Sequence, residues 1–502
     1  MESRERAPAL ASGKMAPWRN WAGDQSCAPA AIEHPRTPQE LAEIVGQAAE
    51  RGRRVRASAS GHSFTDVALT DGVMVRFDHL GGILEVDREA GLVKAGAGIV
   101  LSDLGRRLDA LGLALANLGD IDRQTLAGAI STGTHGTGAR MPSLAAQVDA
   151  LELVLADGSV REISSRSEPD ALAAAAIGLG ALGMIHAVTL RTVPAFTLRR
   201  VDRPRPLAET LERLDELDAA CDHFEFYVFP HTETALCRES VRTAEPRRWR
   251  PAAAVYAQEV VLENWVGGAL TRVARRVPTL RPALARLASR SVGRTTKIDR
   301  SFRVFASERR IKFTEMEYAI PREHAAEAVP RVLELASRPE LGVGFPIEVR
   351  FAPADELHLS TSHGRDTCYV AVHQDPRLEW ERYFRAVEEL MDGYGGRPHW
   401  GKRHFRTPQR WRRFTRAGRG SRSCGGDSTQ AACSRTRTST VSSGRPAPRE
   451  TKAPRRDRSG PRRRWCRPRS GRGGRSARTA RRPWRGGGRP GRQSEASRRR
   501  RR

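Results

Sequence analysis

Apolar residues recur at two different spacings along the chain, and each spacing predicts a type of element. After Thr37, a residue typical of a helix N-cap, apolar residues are spaced three and four positions apart, which predicts a helix over 38–51. The same spacing of apolar residues predicts a second helix over 101–111. Asp157-Gly158 predicts a tight hairpin turn. Short runs rich in β-branched and other apolar residues predict strands at 54–59, 73–77, 83–87, 92–95, 148–155, 160–163 and 184–192.

The pattern changes after residue 196, where longer helices alternate with apolar strands. The predicted helices and strands are helices 207–219, 322–336 and 378–391 and strands 224–229, 312–320, 347–351 and 369–373. This order indicates an α+β domain with an antiparallel sheet. The stretch 171–190 is apolar enough to raise the question of a membrane span. Because His186 and three glycines interrupt it, we expect a buried helix, a glycine turn and a strand instead.

The chain has 502 residues and a formal net charge of +28, and this charge is concentrated at one end. Residues 403–502 carry 34 Lys and Arg against 4 Asp and Glu, whereas the first 402 residues are almost neutral. The basic pI therefore gives no support for nucleic-acid binding by the folded body. The last 100 residues are rich in Arg, Gly, Ser and Pro and poor in aliphatic residues, so they are predicted to be disordered.

The seven cysteines include no CxxC pair. This disfavours a disulfide framework and a structural zinc site, so no metal is expected and a reducing cytoplasm is the expected location. Residues 1–21 are charged and lack the apolar core of a secretory signal. Peripheral association with a membrane stays open.

Two glycine-containing segments are candidates for binding a ligand with phosphate groups. Ser60-Gly61-His62-Ser63-Phe64-Thr65 follows a predicted strand, and such a turn exposes backbone N–H groups, although His62 alone is more simply a loop histidine. The segment 127–138 has four glycines with Ser and Thr hydroxyls between them, which favours a diphosphate site over a plain glycine-rich loop. It is neither a Walker A loop nor a G-x-G-x-x-G helix start, so P-loop and Rossmann folds are disfavoured.

Two further segments carry charged groups that suit chemistry on a hydroxylated substrate. Glu348 and Arg350 alternate with Val349 in a predicted strand and therefore point to the same face. A structural ion pair is the commoner explanation, but the two groups could also hold a substrate and stabilise an anion. The segment 397–402 brings Arg397, His399, Trp400 and Lys402 together, and by itself it is a polar turn.

Together these segments resemble one family, the sugar-1,4-lactone and alditol oxidases of the vanillyl-alcohol oxidase FAD superfamily, which includes gulonolactone, galactonolactone and arabinonolactone oxidases. The similarity covers roughly 18–404 in the family's order. The matching segments are Gly61-His62-Ser63, Ser131–Gly138, Gly180–Gly183, Glu315–Tyr318, Glu348-Val349-Arg350 and His399–Lys402. The resemblance implies a two-subdomain FAD-binding domain of the p-cresol methylhydroxylase type followed by a substrate domain.

The resemblance also implies roles for individual residues. His62 stands where the family bonds its imidazole covalently to the FAD 8α-methyl group. The positions implied for cofactor binding are Ser58, Ala59, Ser60, Gly61, His62, Ser63, Phe64, Thr125, Gly128, Ser131, Thr132, Gly133, Thr134, His135, Gly136, Gly138, Ile185 and His399. Glu348, Arg350 and Lys402 stand at the catalytic positions, and His373 is a further candidate for the substrate pocket. The implied reaction moves a hydride from a carbinol carbon of a sugar lactone or polyol to flavin N5, with oxygen or an electron carrier as final acceptor.

The end of the chain departs from the family. Family members usually end with a segment similar to R-L-D-P-x-G-x-F-x-N-x-Y, which the arginine-rich tail replaces here. If the third base of each codon is read with the first two bases of the next, residues 424–444 can encode R-R-R-L-D-P-G-G-V-F-S-N-A-Y-L-D-R-V-L-G. We therefore predict a one-base frameshift near Arg406, which would also explain the excess of Arg, Gly, Pro and Ser.

The sequence thus predicts a FAD-binding domain over 1–195, a substrate domain over 196–402 and a basic tail over 403–502. The leading interpretation is a FAD-dependent oxidoreductase acting on the CH–OH group of a sugar 1,4-lactone. Alternatives are a dehydrogenase that uses an acceptor other than oxygen, an inactive frameshifted relative, and nucleic-acid binding through the tail. Nucleic acid is not expected as a partner of the body.

Overall fold

The computed structural model describes residues 17–247, 272–273, 275–291, 293–307 and 311–407, all within one compact unit. The prediction that residues 1–21 contain no secretory signal falls mostly on residues outside these ranges. The described residues end at Thr407. The predicted disorder of the tail and the predicted frameshifted segment therefore concern residues that lie almost entirely outside the described ranges.

The described strands, numbered in chain order, are β1 Trp18–Arg19, β2 Ser26–Cys27, β3 Ala31–Glu33, β4 Val55–Ala57, β5 Val73–Val75, β6 Ile83–Asp87, β7 Leu92–Gly96, β8 Leu113–Ala114, β9 Val148–Val154, β10 Val160–Ser164, β11 Met184–Arg191, β12 Val193–Pro194, β13 Thr197–Pro206, β14 His223–Val228, β15 Thr234–Thr243, β16 Thr295–Arg300, β17 Thr314–Pro321, β18 Ile347–Ala352, β19 Thr367–Gln374 and β20 Arg397–Pro398. The described α-helices are α1 Pro38–Glu50, α2 Leu101–Ala110, α3 Leu126–Ser131, α4 Pro169–Ala175, α5 Leu207–Glu212, α6 Leu214–Ala219, α7 Arg281–Ser291, α8 Ser301–Phe305, α9 Ala325–Ala336 and α10 Glu381–Asp392.

The two larger sheets of the first half of the chain share one hydrophobic core, and two pairs of short strands, β1-β2 and β8-β12, form small separate sheets. A three-stranded parallel sheet has the order β3-β5-β4, and a five-stranded antiparallel sheet has the order β10-β9-β11-β7-β6. Helix α1 begins as predicted, because the Thr37 side chain accepts a hydrogen bond from the Glu40 N–H. Its buried face, Leu41 and Val45, lies in the same core as Leu104 and Leu108 of α2.

The second half is built on one eight-stranded sheet in the order β16-β13-β15-β14-β18-β19-β17-β20. Every pairing in this sheet is antiparallel, so the α+β prediction is confirmed. The apolar side chains of its central strands lie in one core with those of α9 and α10, which pack against each other. The site residues Glu315, Glu348 and Arg350 lie on these central strands.

The structure corrects several predicted elements. Strands β13, β15 and β16 were not predicted, because charged residues occupy many of their positions. The helix predicted at 207–219 is two helices that meet at Arg213. The helix predicted at 322–336 begins with a 3₁₀ turn before α9.

The apolar stretch 171–190 contains the end of α4, a glycine turn and β11, as predicted. None of the helices in the described ranges is both long and apolar enough to cross a membrane.

Candidate cofactor and substrate site

A groove of about 1010 Å³ runs between three segments of the first half of the chain. The segments are the loop after β4, helix α3 with its two capping residues, and the glycine turn that leads into β11. Residues from these segments that line it are Ala59, Ser60, Gly61, His62, Ser63, Thr65, Thr125, Gly128, Ser131, Thr132, Gly180, Gly183 and Ile185. Ten of the eighteen residues implied for cofactor binding therefore meet at one groove.

Local backbone geometry sets the position of His62 in this groove. Gly61 has φ +69°, which favours glycine, and an added Cβ would lie 3.1 Å from the Trp18 ring. The Gly61 carbonyl accepts a hydrogen bond of 2.7 Å from the Trp21 N–H. The chain therefore turns sharply just before His62 and presents the imidazole to the groove.

The surroundings of His62 keep its imidazole neutral. Trp21 stacks on the imidazole with 5.5 Å between ring centroids, and the Lys312 ammonium lies 4.0 Å from the Trp21 ring centroid. Burial, followed by the charges of Lys312 and Arg123, lowers the pKa of His62 to about 4. A neutral imidazole keeps a nitrogen lone pair, which a bond to a cofactor carbon requires.

The groove fits the expected FAD. Its walls combine Ser and Thr hydroxyls with apolar residues such as Val55 and Phe77, a mixture suited to a ligand with polar and aromatic parts. The Ser58 hydroxyl is buried beside this wall with no hydrogen-bond partner among the described residues. At Gly128, an added Cβ would crowd Thr125 Oγ1 at 3.1 Å.

Eight of the implied cofactor residues do not line the groove. Gly138 donates its N–H to the Phe351 carbonyl over 2.9 Å, and a Cβ on Gly136 would lie 2.2 Å from Asn117 Oδ1. These glycines allow close packing against neighbouring protein atoms. The other residues placed away from the groove wall are Ser58, Phe64, Gly133, Thr134, His135 and His399.

The segment that follows β20 joins the groove to the eight-stranded sheet. The Phe64 N–H donates to the Gly401 carbonyl over 2.8 Å, and the Thr65 hydroxyl donates to the Trp400 carbonyl over 3.2 Å. An added Cβ at Gly401 would lie 3.4 Å from Ser63 and from Thr132. The groove therefore ends at the backbone that carries Lys402.

Lys402 is the centre of a buried cluster of charges. Its Nζ lies 2.5 Å from Glu315 Oε1 and 2.5 Å from Glu317 Oε2. His135 Nε2 lies 2.6 Å from the other Glu317 oxygen. Burial alone would lower the pKa of Lys402, but the two carboxylates outweigh it and raise this pKa above its ordinary value. Lys402 is thus a fixed cation, and it follows directly after the backbone that contacts groove residues.

Glu348 and Arg350 point to the same face of β18, as predicted, and form a salt bridge. Arg350 Nε donates to Glu225 Oε2 over 2.9 Å, and its NH2 lies 3.2 Å from Asp120 Oδ1. The Tyr227 hydroxyl donates to Glu348 Oε1 over 2.8 Å. Burial, Glu225 and Glu348 raise the pKa of Tyr227, which keeps this donor protonated.

His373 links the two clusters. One carboxylate oxygen of Glu315, one of Glu348 and one ring nitrogen of His373 all lie within 4.8 Å of one another. His373 Nε2 lies 3.4 Å from Glu315 Oε1. Burial would raise the pKa of Glu315, but Lys402 and His373 lower it to about 2. Glu348, Arg350 and Lys402, which are far apart in sequence, therefore belong to one connected polar site.

His399 is buried beside the Lys402 cluster rather than in the groove. Its Nδ1 accepts a hydrogen bond from the Gly401 N–H over 3.1 Å, and burial lowers its pKa to about 3. Its ring centroid lies 5.8 Å from that of His135. His399 therefore helps to shape the turn that carries Lys402.

Several partners of the site were not predicted from the sequence: Trp21, Asp120, Glu225, Tyr227, Arg238 and Lys312. Glu315 and Glu317 were noticed only as part of a familiar segment. A signal was present, because both carboxylates fall on one face of a strand that is otherwise apolar. Asp120 and Trp21 lie in irregular segments with no such signal.

Two family models match the chain. The model of a FAD binding domain matches residues 29–164, and the model of D-arabinono-1,4-lactone oxidase matches residues 188–415. An L-gulono-1,4-lactone dehydrogenase of Mycobacterium tuberculosis is 51% identical over 393 residues, which are 78% of this chain and 90% of the relative. An L-gulonolactone oxidase of Scyliorhinus torazame is 35% identical over 401 residues, which cover 77% of this chain and 89% of the relative.

A solved structure shows a similar fold. The crystal structure of cholesterol oxidase from B. sterolicum superposes with a TM-score of 0.63, covering 80% of this chain and 89% of that chain. The two sequences are 17% identical, so this similarity concerns the fold alone.

Proposed function

The chain belongs to the FAD-linked oxidoreductases that oxidise sugar lactones, and from this premise we propose that Glu348, Arg350 and Lys402 are its substrate-side catalytic groups. The observation that carries the proposal is the connected polar cluster at the end of the groove that fits FAD. Within it, a buried carboxylate, a guanidinium and an ammonium are held by other buried groups. FAD, when bound in the groove, would supply the atom that accepts the hydride.

The groove residues would hold the cofactor in complementary ways. His62 would carry the covalent bond, since its neutral imidazole faces the groove and Trp21 fixes its orientation. The hydroxyls of Ser60 and Ser131, with neighbouring backbone N–H groups, would bind the phosphate-bearing part.

The substrate-side residues would bind and orient the lactone. Glu348 Oε would accept a hydrogen bond from a ring hydroxyl, and Arg350 would donate to another oxygen of the ring. Two positively charged groups, Arg350 and Lys402, would stabilise the negative charge that develops as the hydroxyl proton leaves. His373 lies beyond Lys402 in the polar cluster and would take up that proton, and the Glu315 carboxylate beside it would stabilise the resulting imidazolium.

For the final acceptor we propose an electron carrier rather than oxygen. Support comes from sequence identity, since the relative that is 51% identical is named a dehydrogenase and the one that is 35% identical is named an oxidase. Peroxide formation under air should be slow, and turnover with an artificial electron acceptor should be fast. Peroxide produced at the rate of lactone consumption would show that the acceptor is oxygen.

The central experiment is anaerobic mixing of the FAD-loaded protein with a panel of sugar 1,4-lactones and alditols. The visible absorbance of the oxidised flavin should disappear with a lactone and return when the acceptor is added. The Glu348→Gln protein, with the same FAD content, is the matched control and should bleach far more slowly. Bleaching by an alditol alone, or by no member of the panel, would contradict the proposal.

A further inference from the structure

The loop that joins β18 to β19, residues 353–366, connects the two halves of the chain. Its Leu357 and Leu359 side chains pack against the hydrophobic core of the first half. The same loop contacts β20, the edge strand of the eight-stranded sheet, because Arg397 of β20 donates hydrogen bonds to two backbone carbonyls of the loop. We call residues 353–366 the bridging loop.

Two arginine side chains lie where the bridging loop contacts β20. Arg365 belongs to the loop and Arg397 to the strand. Arg365 donates to the Ala319 carbonyl over 2.8 Å, and Ala319 lies opposite Arg397 in the pairing of β17 with β20. Arg365 also donates to the carbonyl of Gly395, two residues before Arg397, over 3.0 Å. The two guanidinium groups are therefore neighbours, and we call them the arginine pair.

Neither member of the arginine pair has a carboxylate partner. Within the described ranges, all of their hydrogen-bond acceptors are backbone carbonyls, and neither side chain forms a salt bridge. The buried arginines Arg200, Arg350 and Arg403 differ, since each of them is paired with a carboxylate. Two adjacent, partly buried positive charges thus lack a counter-charge, which is unfavourable unless an anion supplies it.

The surroundings of the arginine pair do not supply that negative charge. Burial, followed by the charge of Arg397, lowers the pKa of Arg365 to about 10, and burial also lowers the pKa of Arg397. Asp355 acts on Arg397, but burial raises the pKa of Asp355 and both of its oxygens accept hydrogen bonds inside the bridging loop. Glu323, which acts on Arg365, is exposed to water.

Hydrogen-bond donors and space remain for a ligand. A guanidinium carries five N–H donors, and each member of the pair spends two of them on carbonyls. Arg365 Nε, and His363 Nδ1 in the same loop, are buried without a hydrogen-bond partner among the described residues. Both arginines are partly exposed, and an added Cβ on the neighbouring Gly364 would meet nothing within 4 Å. An ion can therefore reach the pair from the solvent.

We propose that the arginine pair binds a small tetrahedral oxyanion with two negative charges: inorganic phosphate, or the phosphoryl group of a phosphorylated metabolite. Such an anion matches the two positive charges, and its oxygens suit the planar fork of N–H donors that a guanidinium presents. Neither arginine lines the groove that fits FAD. The bound anion would hold the bridging loop to β20 and so stabilise the fold. This inference is independent of the proposed reaction.

The test uses the full-length, FAD-loaded protein, so that the groove is occupied. Sodium phosphate, ribose 5-phosphate and sodium acetate are compared at equal ionic strength by calorimetric titration and thermal denaturation. Phosphate should raise the melting temperature by about 2 °C and reach saturation, and acetate should raise it much less. Tighter binding of ribose 5-phosphate than of phosphate would identify a phosphorylated metabolite, and the reverse order would identify the free ion. An equal effect of acetate would show that the proposed ligand class is wrong.

Substitutions locate the bound anion. Arg365→Gln and Arg397→Gln should each weaken phosphate binding at least about tenfold, since each removes charged hydrogen-bond donors. Arg365→Lys keeps the charge without the planar fork, so it should retain part of the affinity, and it serves as the test if a glutamine variant does not load FAD. Arg203→Gln is the matched control, because Arg203 is a partly buried arginine of the same sheet that is paired with Glu239. It should bind phosphate as the wild-type protein does.

Other positive groups of the chain are controlled by the same comparison. The arginine-rich tail and Lys402 are present in every variant, so phosphate binding at those places does not change between them. Equal phosphate affinity in the wild-type protein, in Arg365→Gln and in Arg365→Lys would show that the anion binds elsewhere, and the proposal would be wrong. Affinity that is lost in Arg350→Ala and kept in Arg365→Gln would place the anion in the proposed substrate site and would also overturn the proposal.

Discussion

At the scale of single residues, the site depends on buried charges that face one another. Taking Lys402 out of water is costly, and Glu315 and Glu317 at 2.5 Å offset that cost. In the second cluster, Glu225 holds Arg350 and Arg238 with separate oxygens. Such groups can act in catalysis only because their neighbours fix their charge and orientation before the substrate arrives.

Glu348→Gln tests the catalytic cluster with little change in shape. The amide can still accept from Tyr227, but the negative charge is lost, so a substrate hydroxyl is held less firmly. We expect kcat to fall at least ~100-fold while FAD remains bound, as for other single electrostatic groups in active sites. Steady-state turnover at equal FAD content is the measurement.

Arg350→Ala is expected to lower kcat by at least a similar factor, again ~100-fold, with FAD retained. Val349→Ala, on the opposite face of the same strand, is the matched control for stability changes. Near-normal turnover in Glu348→Gln or in Arg350→Ala would remove that residue from the proposed mechanism.

His62→Ala tests the covalent attachment of FAD. The wild-type protein, precipitated with acid and washed, should give a yellow pellet, whereas the His62→Ala pellet should be colourless with the flavin in the supernatant. Trp21→Ala should give a partial loss, because stacking at 5.5 Å no longer orients the imidazole. A yellow His62→Ala pellet would mean that another residue carries the flavin.

At the scale of elements, the sequence predicts the helices and strands that bury an apolar face in the core. Helix α1, the β9–β10 hairpin and β18 were predicted within a few residues, since one face of each is apolar and buried. Strand β13 was missed because Arg200 and Asp202 are buried in it as ion pairs with partners on the sheet. A charge that is buried only because a distant strand supplies its partner cannot be recognised from local pattern.

Two glycines give a matched test of how tightly the elements of the first half pack. At Gly98, an added Cβ would lie 1.9 Å from the Phe77 carbonyl oxygen, so Gly98→Ala must displace backbone and should lower the melting temperature sharply. At Gly46, inside α1, an added Cβ meets nothing within 4 Å. Gly46→Ala should therefore stabilise the protein by about 0.5–1 kcal/mol. Equal effects of the two substitutions in thermal denaturation would contradict this packing.

At the scale of the whole molecule, the site is assembled from segments more than 300 residues apart. The sequence and the family resemblance predict that His62, Glu348, Arg350 and Lys402 are site residues. They could not show that the groove ends at the backbone of Gly401, because that depends on a hydrogen bond from Phe64 across the fold.

The predicted frameshift also concerns the whole molecule. The lactone oxidase family model matches up to residue 415, close to the proposed position near Arg406. Resequencing the gene there should reveal a one-base difference whose correction restores the family's ending. The corrected chain should yield more FAD-loaded protein than the present one under the same expression conditions. DNA that confirms the printed reading frame would show that the hypothesis is wrong.

Stability against acid is a property of the whole fold that follows from its buried histidines. Burial is the first cause of a lowered pKa in each of six described histidines: His62, His186, His223, His231, His399 and His404. Below the ordinary histidine pKa of about 6.5, the unfolded chain binds more protons at these positions than the folded chain does. The free energy of unfolding should therefore fall as the pH falls below about 6.5.

Between pH 6.5 and pH 5, the carboxyl groups do not cancel this fall in the free energy of unfolding. Glu315, with its pKa of about 2, adds acid sensitivity only below its ordinary pKa of about 4.5. Burial raises the pKa of Asp218 and Asp355, and these two groups oppose the trend only partly. We expect the melting temperature to drop steadily from pH 7 to pH 5. A melting temperature that is level over this range would show that the folded protein protonates these histidines as readily as the unfolded chain does.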